Sequence, residues 1–495
     1  MSNTREYTNI FKSTFLFSVV QVIRIIVSVA KNKVVAVLLG PEGMGIMGIM
    51  LNTINLIKTG AGLGIAQSAV RDVSEANIIG DKERFSRVIS ITQKVVVYTS
   101  LFGLAITVLF SPFLSQWGFG NKTQTISFLL LGIAVFFEIF VENQLAILKG
   151  MRQLHSLAKA SIWGAVVGLV VGVPLFFWLG KEGIVPSLIA TAFVVFLVTK
   201  YYVSKVEYIK VNVSFKSSIS EAFPMIKMGI ALMMVSFIGL FFSFIISFYI
   251  RSLGGLEMVG LYQAGVTIVT SYIGVVITAM NTDYYPRISA VNKDNFKLME
   301  EVNTQSEVGL LMAFPIIIIF VFLSPLFIDV LYSPDFKQIL SYTDYAIIGS
   351  VITICSNCMG MILIAKQATK VFLLSVFAQR IICLIIFMLL YQKLGLLGLG
   401  FSEIFAGLLH IVLMALIMGG KYNIRFSRRV VMQLLLTIII VLLSIYIRTF
   451  ENNYFRYIIG FCIVIFVTIY SLYYIKKYMG LDVLSKLKSR IKINE

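Results

Sequence analysis

Apolar runs follow one another along nearly the whole chain, separated by short polar turns. Most are long enough to cross a bilayer core as a helix of about 20 residues. Fourteen spans are expected, at about 11–38, 43–69, 87–110, 124–148, 158–179, 184–203, 226–250, 258–281, 304–324, 341–365, 371–392, 398–418, 430–449 and 455–475. An even number puts both chain ends on one face. About 27 Lys and Arg lie in the segments of that face and 7 in the opposite turns, which places both termini in the cytoplasm.

A repeat lies within this pattern. Leu39-Gly40-Pro41-Glu42-Gly43 recurs as Leu179-Gly180-Lys181-Glu182-Gly183, as Leu394-Gly395-Leu396-Leu397-Gly398, and loosely as Leu253-Gly254-Gly255 with Gly260. Each copy sits at an outer turn before an even-numbered span. Glycine there permits a positive φ and a close helix approach. The offset between halves is 215–217 residues, read from Gly183 to Gly398, Arg71 to Arg287 and Gly43 to Gly260. The expected fold is therefore all-α and integral to the membrane, with about 14 transmembrane helices. Two six-helix bundles form a parallel repeat, and two extra helices follow. The domain limits are 1–203 for the first bundle, 204–222 for a cytoplasmic linker and 223–420 for the second bundle. Residues 421–476 hold helices 13 and 14, and 477–495 an amphipathic tail on the inner leaflet.

Composition agrees, with 58% hydrophobic and 13% charged residues. The formal charge of +18 raises nucleic acid as a partner. The cations sit in short loops between apolar runs, however, and form no basic domain, so nucleic acid is rejected. Cys355, Cys358, Cys383 and Cys462 all fall in apolar runs and read as packing residues. The single C-x-x-C has no second pair and no nearby His. A cleaved signal peptide is not expected, because the first apolar run is too long and a second follows at once.

Eight cations remain inside or at the ends of spans: Lys12, Arg24, Lys31, Lys33, Lys58, Lys94, Lys227 and Arg380. Lys12, Lys33 and Lys227 lie near span ends, where a long side chain reaches the headgroups. The other five are expensive at membrane depth and are functional candidates. Gln21, Arg24, Ser28 and Lys31 share one face of span 1. Asn52, Asn55, Thr59 and Gly62 form a stripe on span 2, with Lys58 beside it. Asn, Ser and Thr alone would read as a polar seam between helices. With Arg24 and Lys31 in the stripe, a positively charged aqueous cavity is expected. Of the acidic residues, Glu138 and Glu142 share a face of span 4, Glu403 and His410 a face of span 12, and Asp283 ends span 8. Glu138, Glu142, Glu403 and Asp283 are candidates for ion coupling. A counter-charge role for the cavity cations stands beside that reading, and His410 reads as a packing residue. There is no Walker motif and no metal-ligand spacing, and no extramembrane segment exceeds about 25 residues, too few for a catalytic domain.

Gly40-Pro41-Glu42-Gly43-Met44-Gly45, then Gly60-Ala61-Gly62-Leu63-Gly64-Ile65-Ala66 and Val70-Arg71-Asp72-Val73, resemble the start of the bacterial polysaccharide flippases. These are the O-antigen translocases of the Wzx type, within the multidrug/oligosaccharidyl-lipid/polysaccharide exporter superfamily. Tyr284-Tyr285-Pro286-Arg287-Ile288-Ser289 is similar to the same family. The resemblance implies a flippase and not an enzyme. Its activity would be to move undecaprenyl-diphosphate-linked oligosaccharide from the cytoplasmic to the outer leaflet of the bacterial inner membrane. It implies no cofactor or metal. The implied partners are the lipid-linked glycan, membrane lipids, and a polysaccharide polymerase and chain-length regulator.

A diphosphate crossing the bilayer needs cations, and Arg and Lys supply charge-assisted bonds to phosphate. Arg24, Lys31, Lys58 and Arg380 are therefore the candidate diphosphate contacts. Gln21, Asn52, Asn55, Gln263 and Thr267 are the candidate glycan contacts. Alternating access between the bundles is the expected mechanism, with the membrane potential or an ion gradient resetting the empty cationic cavity. The rivals are a peptidoglycan lipid-precursor flippase, a drug exporter, a membrane polysaccharide polymerase or ligase, and a non-transporting scaffold. The first half is expected to hold the phosphate and the second to act more as wall.

Overall fold

The computed structural model describes the backbone of residues 2–79, 81–209, 211, 215–450 and 452–479. The side chains of 2–19, 21, 22, 25, 215–220, 272, 275, 276, 278, 279, 281–283, 453, 478 and 479 lie outside the described residues, as does the expected tail helix at 481–493. Among the described residues thirteen α-helices follow in order: α1 Ser2–Ala61, α2 Ile65–Ile79, α3 Lys82–Phe119, α4 Thr125–Gly150, α5 Leu154–Leu179, α6 Ile184–Ser204, α7 Phe215–Ala290, α8 Asn295–Leu331, α9 Leu340–Ala365, α10 Thr369–Leu394, α11 Leu396–Tyr422, α12 Arg428–Arg448 and α13 Asn453–Met479. No strand occurs among the described residues. Helices satisfy their own backbone groups, which a bilayer core demands.

Among the described residues, eleven segments are long and apolar enough to cross a membrane. Three of them, Ile26–Ala61, Leu154–Ser204 and Glu221–Ser271, contain the glycine turns at Gly40, Gly180 and Gly255 and so cross twice. Divided at these turns, the described residues hold fourteen apolar helical segments, the number the apolar pattern predicts. All four turns hold a left-handed glycine: Gly40 (φ 66°), Gly180 (φ 58°), Gly255 (φ 76°) and Gly395 (φ 57°). The two repeat offsets, 255 − 40 and 395 − 180, are both 215. In the loose third copy it is Gly255, not Gly254, that turns the chain. Pro41 opens the second half of α1, where its missing N–H costs nothing.

Span 2 departs from expectation. It is predicted unbroken to about residue 69, yet α1 ends at Ala61 and α2 begins at Ile65. Leu63 (φ 51°) and Gly64 (φ 63°) are left-handed in the gap. Gly60, Gly62 and Gly64 lie within five residues, and glycine is about 1 kcal/mol worse than alanine in a helix.

By its internal contacts the chain divides into two compact units, Met1–Gln263 with Leu331–Asp335 and Ala264–Val330 with Phe336–Glu495. The first half of α7 therefore groups with the first unit, although the repeat assigns it to the second bundle. Glycine explains the grouping. A Cβ on Gly260 would meet the Pro41 carbonyl oxygen, and one on Gly45 the Leu256 carbonyl oxygen. At the other end of the seam, Gly64 and Gly229 would each strike the other's backbone. The linker is also held here. The Ile209 and Val211 amides donate to Ser86 Oγ (3.1 Å) and Ser90 Oγ (3.2 Å) of α3, and Tyr208 OH to Gln93 Oε1 (2.9 Å). Arg87 forms a two-fold pair with Glu221 at the start of α7, both bonds 2.7 Å.

In the second unit α9 is the buried centre and packs along α11. Cys355 and Cys358 are buried free thiols on it. The end of α12 is fixed by Arg448, which donates to Asp344, Ser324 Oγ (2.8 Å) and the Val321 carbonyl (3.1 Å).

Gly260→Val is expected to destabilise the solubilised protein by about 1–3 kcal/mol, the usual cost of overpacking a tight contact. Gly239→Ala is the control, since a Cβ there meets nothing within 4 Å. It should be neutral or slightly stabilising, and thermal unfolding of the two variants makes the comparison.

Candidate functional site

Two of the intramembrane cations of the first unit interact with Glu138 of α4. Lys58, on the last turns of α1, lies 3.1 Å from its Oε2, with side chains 23% and 30% exposed. Lys31, from the preceding span, interacts electrostatically with the same carboxylate. Two lysines from successive spans thus lie in the field of one carboxylate, and only Lys58 pairs with it directly. Two residues that alone would each be a costly buried cation become tolerable by sharing a counter-ion.

Beside this group lies a cleft of about 350 Å³, open solvent included, at the break between α1 and α2. Lys58, Thr59, Gly62, Gln67, Glu142 and Asn143 line it, with Thr99 of α3 and Met233 of α7. Asn143 is 2% exposed and its Oδ1 has no hydrogen-bond partner. Further along the seam Asn52 Nδ2 donates to Ser247 Oγ (3.0 Å), and Gln263 Nε2 donates to the same oxygen (3.3 Å).

Arg24 is exposed and Asn55 half-buried. The side chains of Gln21 and Asp283 lie outside the described residues. Thr267 is half-buried in the second unit. Arg380, on exposed α10, faces Glu403 of α11, which also takes a hydrogen bond from Tyr342. Gly349 of α9 lets the Glu403 backbone approach closely. His410 Nδ1 lies 2.7 Å from Ser356 Oγ, a satisfied position within the bundle. Among the described residues no group of three or more His, Cys, Asp or Glu could hold a metal ion.

Three participants escape the sequence reading. Ser247 carries no charge and sits in an otherwise apolar run. Asn143 was overshadowed by its neighbour Glu142. The helix break has a legible signal in the glycine density at 60–64, which points to an interruption of the span.

Residues 34–341 match a protein-family model described as "Polysaccharide biosynthesis protein". No curated protein matches the chain. Among solved structures, the chain is similar to the lipid II flippase MurJ in an inward closed conformation. The TM-score is 0.67 at 15% identity, covering 94% of this chain and 100% of that one. An inward-facing multidrug resistance MATE family transporter of the MOP superfamily gives 0.63 at 15% identity, covering 80% and 95%. A MOP superfamily transporter from Pyrococcus furiosus, described as having a binding pocket of reversed polarity, gives 0.58 at 16% identity, covering 87% and 95%. These likenesses establish the fold.

Proposed function

The chain belongs to the polysaccharide biosynthesis protein family, and from that premise we propose that it is a flippase for an oligosaccharide carried on a polyprenyl diphosphate. The observation that carries this reading is the convergence of Lys31 and Lys58 on Glu138. A diphosphate entering the first unit meets the Lys31 and Lys58 amines, and each charge-assisted bond offsets part of its desolvation. Glu138 is the resident anion that the phosphate displaces from Lys58. Asn52, Ser247 and Gln263 offer hydrogen-bonding groups to sugar hydroxyls. Arg24 of the first unit and Arg380 of the second are further candidate contacts for the phosphate. The two repeats act in alternating access, and the substrate is of the O-antigen type.

The test is leaflet transfer in proteoliposomes containing the purified protein. A short glycan on undecaprenyl diphosphate should move across faster than in protein-free vesicles. The same glycan on undecaprenyl monophosphate should move at least about 10-fold more slowly, since losing one charged hydrogen bond is worth about 1.5–3 kcal/mol. Equal rates for the two lipids would sink the reading. A peptidoglycan lipid precursor carries the same diphosphate, and the full-length likeness to a lipid II flippase fold favours it as the second reading. Competition between the two lipids in one vesicle population separates the substrates.

A further inference from the structure

We infer that the turn between α4 and α5, with the flank of α5 above it, binds an anionic glycerophospholipid of the bordering leaflet. The headgroup phosphate lies on Arg152, His155, Lys159 and Lys200, and an acyl chain runs along Trp163. The loop charge count makes that leaflet the inner one.

Charge is unbalanced here. Between Glu142 and Glu207 the sequence holds one acidic residue, Glu182, at the opposite end of α5. Five basic residues of the same stretch, Lys149, Arg152, Lys159, Lys200 and Lys205, gather at this end. Acids on the neighbouring elements are engaged elsewhere. Asp72 pairs with Arg71 (3.0 Å), Glu75 with Arg84 (2.7 Å) and Glu221 with Arg87 (2.7 Å). Arg152, Lys159 and Lys200 are exposed and make no ion pair among the described residues.

The backbone of the turn does not account for the charge. Arg152 is left-handed (φ 54°), at a position that glycine or asparagine ordinarily takes. Gln367, in the repeated turn between α9 and α10, holds the same conformation (φ 57°) with a neutral side chain. Lys366 of that turn is committed to the Asn292 carbonyl (2.7 Å) and Asn295 Oδ1 (2.8 Å). Gln153, which precedes α5, makes no side-chain cap. A helix N-terminus without a cap attracts an anion through its free amides and its dipole.

The register of α5 on α6 supplies the depth. A Cβ on Gly164, Gly168 or Gly172 would meet Val195, Thr191 or Ser187, so the two helices lie close and antiparallel. Continued toward the turn, this register sets Lys159 level with Lys200. His155, Lys159 and Trp163 follow at i, i+4 and i+8 on one face of α5. Trp163 is 54% exposed, and Val170 on the same face is 63% exposed. Away from the turn, that face carries cation, indole and aliphatic side chain in order. A phospholipid presents phosphate, glycerol ester and acyl chain in the same order, and Trp favours the ester level. An acidic protein or a free phosphate would engage the cations alone. The site is independent of what the chain transports.

Native mass spectrometry of the purified, delipidated full-length protein tests this. It is titrated with phosphatidylglycerol or phosphatidylcholine of identical acyl chains. Phosphatidylglycerol should bind at least about 10-fold more tightly, since each cation near an anionic headgroup is worth about five-fold. R152Q alone should weaken it about five-fold, and R152Q/K159Q/K200Q should abolish the preference while phosphatidylcholine binding stays unchanged. K159R/K200R keeps the charges and should keep the preference. W163A should weaken both lipids, and K370Q, at the start of α10, should change neither. Equal binding of the two lipids to the unaltered protein overturns the site, because the cations then serve only to orient the chain during insertion. A preference that survives the triple change overturns it as well, by placing the lipid elsewhere. Displacement of phosphatidylglycerol by inorganic phosphate, or by a polyglutamate peptide, overturns it in favour of a free anion or an acidic protein.

Discussion

Alanine at both Lys31 and Lys58 is expected to reduce transfer of a diphosphate-linked glycolipid at least about 100-fold, from two charged hydrogen bonds worth about 1.5–3 kcal/mol each. The single changes should cost about 10-fold or more, and Lys58→Arg should retain most of the activity, because the charge stays while only its shape changes. Lys58→Ala has a second effect. It leaves Glu138, 30% exposed, without its close partner, and so lowers stability as well as transport. The double change K58A/E138Q separates the two, since it should recover thermal stability while transport stays low. Glu138→Gln alone should act in the opposite sense on binding. With the resident anion gone, the two ammonium groups hold the diphosphate more tightly, and release becomes slower. Equilibrium binding of a short-chain prenyl diphosphate, measured beside the transfer rate, checks both signs.

The largest loss of stability is expected from Arg448→Met. Arg448 and Asp344 are both 9% exposed at the side chain. Removing one member of a pair this buried strands the other and typically costs about 3–5 kcal/mol. The change also strips donors from Ser324 Oγ and the Val321 carbonyl. The double change R448M/D344L should recover most of the loss, because two well-packed apolar residues replace a buried pair at little net cost. Unfolding midpoints of the three variants in detergent test this. A single-variant loss that the double change does not relieve would show that Arg448 acts through packing of its stem and not through its charge.

The parts of the fold legible in the sequence are those fixed by local chemistry. Span number follows from run length, and the hairpins follow from glycines that only a left-handed turn requires. Gly40, Gly180 and Gly395 stand where the repeated motif puts them. In the loose copy Gly254 and Gly255 stood side by side, and the motif did not say which of them turns the chain. The site was legible in kind but not in pairing. The cations could be found by subtraction from the loops, yet nothing in the spacing says that Lys31 and Lys58 share Glu138, 80 residues beyond Lys58. Long-range partners depend on how helices rotate against one another, and the hydrophobic pattern of a membrane helix fixes that rotation weakly. The grouping of early α7 with the first unit was hidden for a different reason. It depends on backbone contacts at Gly229 and Gly260, and a glycine in a sequence does not name its opposite number.

The connection between the repeats has a mechanical consequence. Tyr208, Ile209 and Val211 are held along α3 by Gln93, Ser86 and Ser90 at successive turns, and Arg87 grips Glu221 between those rungs. Such a segment is a splint and not a slack cord. The Arg87–Glu221 pair ties α3 directly to the root of α7. Bending of the molecule is then concentrated where the backbone already departs from the helix, at Gly40, at Leu63 and Gly64, and at Gly255. These are joints of fixed position, and their stiffness sets how far the remainder can swing.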